Sequence, residues 1–363
     1  MRVTFTVQPS ALDGYASQIG RAGDDASATK SYLDGYAIAG GWNGALIELV
    51  GGAAVSSMTA ASAACQKAAG ILTASQSGLV NAAAYYRQTD TAVAARVDAT
   101  LPDRCASIPT ALETAWAANA CAPSFADSRE PSGRLKPVDD VEYSHPLGFL
   151  DNISVSHWAL KGFDFVFGFN PLEKVSDYFL GDWQSFAKAG KAIGCAADAL
   201  DDLGYNIQGG VIAVHGGWQG RAADSAYAHF TGLASGVEDL VDPMRQIAKQ
   251  FETISHGVWS SCEAATGFVK GMLDAAIIAG ISAAAGTITA ETGVGAVVGY
   301  GVAAIEVCRM LDMWAEATKV MTSIYSIVQA GAGLIEAQAS RLQGADLPQL
   351  SGYGGYQHPL AAH

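Results

Sequence analysis

Residues 186–220 read FAKAGKAIGCAADALDDLGYNIQGGVIAVHGGWQG. Within them Phe186, Gly190, Ile193, Ala197, Leu200, Gly204, Ile207, Val211 and Val214 follow one another in alternating steps of four and three. That spacing is one buried stripe on an α-helix. Gly216-Gly217 predict where the helix breaks, and Trp218-Gln219-Gly220 predict a tight turn. The stripe then resumes at Phe230, Leu233, Val237, Leu240, Met244, Ile247, Phe251, Ile254 and Val258. At 1.5 Å per residue this second helix spans about 42 Å. Pro243 sits inside it and predicts a kink, because proline deletes one backbone donor and clashes with the preceding turn.

The same unit, helix, Gly-Gly-Trp-x-Gly, helix, occurs near the N-terminus. Residues 1–9 suggest a short extended lead, and Ser10 a helix cap. Leu12, Tyr15, Ile19, Ala22, Ala26, Thr29, Leu33 and Tyr36 form the first stripe, Gly40-Gly41 end it, and Trp42-Asn43-Gly44 make the turn. Met58, Cys65, Leu72, Leu79, Tyr86 and Val93 then recur every seven residues, a heptad seam built largely on small neighbours. Leu101-Pro102 closes it. The expected fold is all-α, with antiparallel helical hairpins forming an elongated bundle.

Outward from the two hairpins the composition changes. Residues 103–172 hold most of the prolines that follow Pro102, and SREPSGRLKPVDD reads as an exposed linker. The aromatic run WALKGFDFVFGF, 158–169, is too apolar for a free linker and is expected to pack on a helix. Residues 173–262 form the second hairpin, and 263–342 apolar and amphipathic helices. Between Asp274 and Glu306 the only charged residue is Glu291. The tail, 343–363, is rich in Gly, Tyr and Pro and is expected to be disordered.

Charge and cysteine usage exclude several functions. With 21 Lys and Arg against 35 Asp and Glu, the formal charge is −14. No basic cluster is present to grip phosphates, which argues against nucleic acid. The six cysteines lack metal-ligand spacing, so no metal site and no cofactor are expected. Cys105 and Cys121 flank a loop-like region, which leaves a disulfide open in an oxidising compartment. The glycines at Gly293, Gly295 and Gly299 imitate a dinucleotide loop, but their surroundings are helical rather than βαβ, so small-residue helix packing is the better reading. No nucleophile elbow, P-loop or HExxH motif occurs, and no enzyme is expected. The N-terminus has no 7–15-residue apolar core of the kind that marks a cleaved signal peptide.

Two features resist a purely packing explanation. A tryptophan at a hairpin tip has little core to enter, yet Trp42 and Trp218 both occupy one. Downstream of the first, AAAYYRQTDTAVAARVDATLP places Tyr86 and Asp90 at i and i+4, a phenol and a carboxylate on one helix face. Trp259 and Glu263 repeat the aromatic-xxx-acid pattern in the second hairpin.

These residues resemble the helical-hairpin substrates of the type VII (ESX) secretion system. There a W-x-G turn joins two antiparallel helices and a Y-x-x-x-D/E motif ends the second. Residues 1–102 resemble the ESX secretion-target module through VQPSALDGYASQIGRAGDD and AAAYYRQTDTAVAARVDATLP. Residues 173–262 resemble a second W-x-G module through HGGWQGRAADSAYAHF. The resemblance implies export without a cleaved signal, to the medium or cell surface after a cytoplasmic stage. It implies recognition through Trp42, Gly44, Tyr86, Asp90, Trp218, Gly220, Trp259 and Glu263. The implied partners are the type VII ATPase and its chaperones, and a helical-hairpin partner or a second copy of the chain. It also implies that the W-x-G turn of one hairpin lies near the Y-x-x-x-D end of another, so Tyr86 and Asp90 are expected beside Trp218 and Gly220. The first hairpin has its own Trp42-Asn43-Gly44, so the pairing stays open. The region after 264 resembles the apolar segment following W-x-G modules in polymorphic toxins, without a toxin domain after it.

A different reading rests on 264–305. This nearly uncharged stretch suggests a membrane-active or pore-forming protein. Its two arms, 275–290 and 292–305, fall short of the roughly 20 residues that span a bilayer. A buried central hairpin in the bundle is the competing reading.

Overall fold

The computed structural model describes residues 5–38, 40, 43–103, 108–119, 122–141, 146–149, 157–288, 294–345, 347 and 355–360. Helix α1 (Pro9–Asp34) and helix α2 (Ala45–Gln88) form the first hairpin. They run antiparallel. Asp13 pairs with Arg87 at one end, and Ser62 Oγ donates to Asp34 at 2.6 Å toward the other. Leu12 to Leu33 and Met58 to Tyr86 are buried as their spacing predicts. Ser10 is not the cap. Pro9 takes the first helical position, where its missing N–H has no intrahelical partner to lose.

The heptad seam stops at Tyr86. Helix α2 ends at Gln88, and α3 (Thr91–Asp98) starts afresh with Asp90 as its cap. Val93 is therefore 40% exposed instead of continuing the stripe. Short α4 (Ala111–Ala117), α5 (His157–Phe167) and α6 (Pro171–Phe179) follow.

Helix α7 (Trp183–Gly217) is the axis of the molecule, and all nine members of its predicted stripe are buried. Its glycines let neighbours approach. A Cβ on Gly190 would strike Phe251, and one on Gly210 would strike Gln18 and Tyr15 of α1. Phe186 stacks on Phe251 with centroids 4.2 Å apart.

The partner of α7 is broken rather than kinked. Helix α8 (Arg221–Glu238) ends before Pro243, and α9 (Val241–Ile288) begins two residues ahead of it. Pro243 thus lies in a first turn, where it removes no intrahelical bond. The stripe from Phe230 to Val258 stays buried across the break, because α8 and α9 both pack on α7.

Helix α9 passes without interruption through 262 and 263, so the second hairpin and the apolar region share one helix. It folds back on α10 (Val294–Gln343), with Gly331 against Ile254 near one end and Gly271 against Met313 further along. The far end of this α9–α10 pair is not a buried core hairpin. Ile281, Val297, Val298 and Ile305 are 62–74% exposed.

The stretch expected as an exposed linker is strapped across α1 and α7. Asn206 of α7, buried, accepts from the backbone N–H groups of Ser128 and Arg129 at 3.0 Å and donates to the Arg129 carbonyl at 2.9 Å. Asp202, also buried, receives Arg134 at 2.6 Å. Trp116 of α4 donates to the Tyr205 carbonyl and stacks on the Tyr205 ring. Cys105 and Cys121 lie outside the described residues.

Candidate functional site

The second W-x-G turn is anchored from several directions. Trp218-Gln219 forms strand β2, which pairs antiparallel with strand β1 (Thr6–Val7). The backbone N–H of Gln8 donates to the Gly217 carbonyl at 2.8 Å. The expected N-terminal lead is thus one edge of the turn. Gly220 follows with φ +134°, a left-handed conformation that excludes ordinary side chains. A Cβ there would also meet the Asp98 carboxylate at 2.7 Å.

Trp218 is 1% exposed, and its ring meets Tyr86 edge-on, with centroids 6.0 Å apart. The W-x-G turn of the second hairpin and the end of α2 therefore share one aromatic cluster. Phe5 joins it at 6.1 Å from Tyr86. Tyr85 packs against Tyr86 at 5.2 Å.

Asp90 does not join this cluster. It is exposed, and its carboxylate accepts from the N–H groups of Ala92 and Val93 as the cap of α3. The chain turns between Gln88 and Thr91, so Tyr86 and Asp90 do not share a helix face. The carboxylate that reaches the turn is Asp98, 3% exposed. Its two oxygens accept from the N–H groups of Arg221 and Ala222, each at 2.8 Å. These are the first donors of α8, which have no intrahelical partner and lie at the positive end of the helix dipole. Arg221 in turn donates to the Leu101 carbonyl at 2.6 Å and pairs with Asp103. Asp98 was unmarked in sequence because the seven-residue spacing ran on through Val93. An Asp flanked by threonines, a strong cap signal, was the available sign of a helix break at 89–90.

The other sequence-predicted residues stand apart. Gly44 has φ +134° and caps α2, but a Cβ there would strike the Leu180 carbonyl. It lies at the opposite end of a 44-residue helix, about 63 Å from Tyr86 along the axis. Trp42 lies outside the described residues. Trp259 is half-buried near His256, and Glu263 is exposed; both sit mid-way along α9 and away from any turn.

Residues 355–360, which are described within the tail expected to be disordered, close the site. Tyr356 and His358 are buried, at 0% and 2% exposure. His358 Nδ1 accepts from the Leu360 N–H at 3.2 Å, so Nε2 carries the proton and donates to the Tyr86 hydroxyl at 2.8 Å. The His358 ring stacks on Trp218 at 5.8 Å. Tyr356 packs on Phe230 and His229. Its N–H donates to Ser75 Oγ at 2.9 Å. A tyrosine amid glycine and proline was the one compositional sign against disorder, since disordered segments are poor in aromatics.

Burial controls the chemistry. It pushes the Tyr86 phenol well above its ordinary value, and the Trp218 N–H opposes that only in part. The Trp218 N–H is buried and has no hydrogen-bond partner among the described residues. Burial also pushes His358 down to about 4. Neither group ionises near neutral pH, and the cluster is held by ring packing and the His358–Tyr86 hydrogen bond. Among the described residues, no group of three or more His, Cys, Asp or Glu is placed to hold a metal ion.

Comparison of the chain with protein-family models, with curated proteins and with solved structures finds no match in any of the three.

The two carboxylates separate in a stability test. Asp98→Ala strands two buried helix donors and is expected to cost roughly 2–4 kcal/mol in denaturant unfolding. Asp90→Ala removes an ordinary cap worth about 1 kcal/mol. Equal losses would contradict the clamp at Asp98.

His358 gives a pH signature. Its folded pKa lies below the ordinary value of about 6.5, so the docked segment favours the neutral ring. Docking is at full strength above pH 6.5 and weakens as pH falls from there toward 4. Proton NMR should find the His358 ring titrating near pH 4. Titration near 6.5 would mean that the segment is undocked. The groups facing the ring are Tyr85 and Tyr86, with Asp98 behind Tyr86.

Proposed function

We propose that this chain is a non-enzymatic substrate, or the delivery portion of one, of a type VII secretion system. Recognition would run through the surface where the second W-x-G turn meets the end of α2. One observation carries the reading: Trp218 and Tyr86, 132 residues apart in sequence, share an aromatic cluster within a single chain. The resemblance asks for such a meeting of turn and helix end, and a fused pair of hairpins supplies it without a second chain. The acidic component departs from the motif. Asp98, which clamps the turn, takes the structural place expected for Asp90.

The test is the fate of the tagged chain in a host with and without a working type VII ATPase. Export only in the strain with the ATPase supports the reading. Tyr86→Ala and Trp218→Ala are expected to abolish export. Tyr86→Phe, which keeps the ring and removes one hydroxyl, guards against simple unfolding and should retain most of it. Equal amounts in both strains would overturn the assignment.

A second reading is favoured by the exposed apolar end of the α9–α10 hairpin. The stretch Arg221–Ala284 and the helix Val297–Gln343 are long and apolar enough to cross a membrane by length and composition, as is Ala45–Gln88. The windows in the first two are 39% and 28% buried, against 56% for Ala45–Gln88. Lipid contact through Ile281, Val297, Val298 and Ile305 would cover that surface. Vesicle flotation should show binding by the wild type and its loss in Ile281→Asp/Val297→Asp at unchanged melting temperature. Absence of wild-type binding would remove this reading.

A further inference from the structure

We propose that residues 355–360 are a displaceable latch, which masks the Tyr86–Trp218 surface until a recognition partner takes its place. The inference rests on the reading that this surface is what the secretion machinery recognises, and it adds how access to that surface is regulated.

The segment is seated, but by few bonds. Tyr356 N–H to Ser75 and His358 to Tyr86 are its two described hydrogen bonds to the bundle. Among the described residues, no strand or helix pairing holds it. The rest is aromatic packing on Trp218, Tyr86, Phe230 and His229.

In the docked arrangement two buried polar groups lack a hydrogen-bond partner. The Tyr356 hydroxyl is fully buried without a partner, and so is the Trp218 indole N–H. A buried donor without an acceptor costs its lost hydration. Release of the segment returns the first to water and opens the second to an acceptor. A partner that lays an apolar face on the cluster and offers an oxygen to the Trp218 N–H therefore has an advantage that the latch lacks.

The seat is built for close approach. Gly78 lies within α2, where glycine weakens a helix. A Cβ there would overlap the Tyr356 carbonyl, and the nearest atoms it meets all belong to Tyr356. Gly355 likewise passes against the Ala74–Ser75 backbone. Gly78→Ala should thus expel the segment while leaving Tyr86, Trp218 and Asp98 untouched. Tyr356→Ser should do the same from the segment's side.

The experiment pairs two measurements on the full chain. Hydrogen exchange reports whether 355–360 is protected. Titration against the purified soluble motor of the host's type VII ATPase reports access to the site. We expect protection in the wild type, its loss in both variants, and at least about tenfold tighter binding by both, since a site open in a minority of molecules binds weaker by that fraction. Loss of protection with unchanged affinity would overturn the latch and leave the recognition reading standing. An unprotected segment in the wild type would overturn the latch too. Binding by none of the three proteins would overturn the recognition reading, and the latch with it.

Discussion

Close packing around α7 is the constraint on which the rest of the structure depends. This helix touches α1, α4, α8, α9 and the strap before α5, so it is buried on most of its circumference. A helix surrounded in this way needs short radial reach on several faces. Its sequence supplies that with Gly190, Gly209 and Gly210, each lying against a large side chain: Phe251, Trp116 and Tyr15. Small against large at each crossing lets the neighbouring elements approach closely. Two of its buried polar residues, Asn206 and Asp202, are partnered by the strap and fix where the chain crosses rather than weaken the core.

That packing sets the site. Because α1 and α7 run antiparallel in contact, the C-terminal end of α7 arrives beside the N-terminal end of α1. The tie from Gln8 to Gly217 and the β1–β2 pair are direct consequences. The antiparallel fold of α1 on α2 brings the end of α2 to the same place, as the Asp13–Arg87 pair marks. Trp218 and Tyr86 meet because two antiparallel registers coincide. Asp98 then fixes the meeting through the open donors of α8, a bond that exists only if α3 turns away from α2.

The helical stripes were legible in sequence because their period is a direct consequence of burying one face. Leu12 to Leu33, Phe186 to Val214 and Phe230 to Val258 are all in the core. The breaks were less legible. A stripe fixes which side of a helix faces inward, and a partner helix can preserve that side across a gap, as α7 does at 239–240. Periodicity therefore ran through two real interruptions, one before Pro243 and one at Thr89-Asp90. Both carried local signs, a proline fit for a first turn and an aspartate fit for a cap. Of the candidate residues, Trp218, Gly220 and Tyr86 come together, and they were legible as members of two motifs. The site's acidic member and its cover were not, because Asp98, Tyr356 and His358 acquire their roles only through contacts distant in sequence.

The length of α2 decides which turn reaches Tyr86. Gly44 and Tyr86 stand at opposite ends of a single helix, so the turn of the first hairpin is kept from its own tyrosine by the rigidity of the helix between them. The first turn instead meets the Leu180–Gly181 junction, where Gly44 and Gly181 both adopt positive φ. A composite of turn and helix end within one hairpin would require α2 to double back, and its buried seam along α1 forbids that. A second hairpin, docked antiparallel on the first, is the economical way for one chain to hold both halves of such a surface.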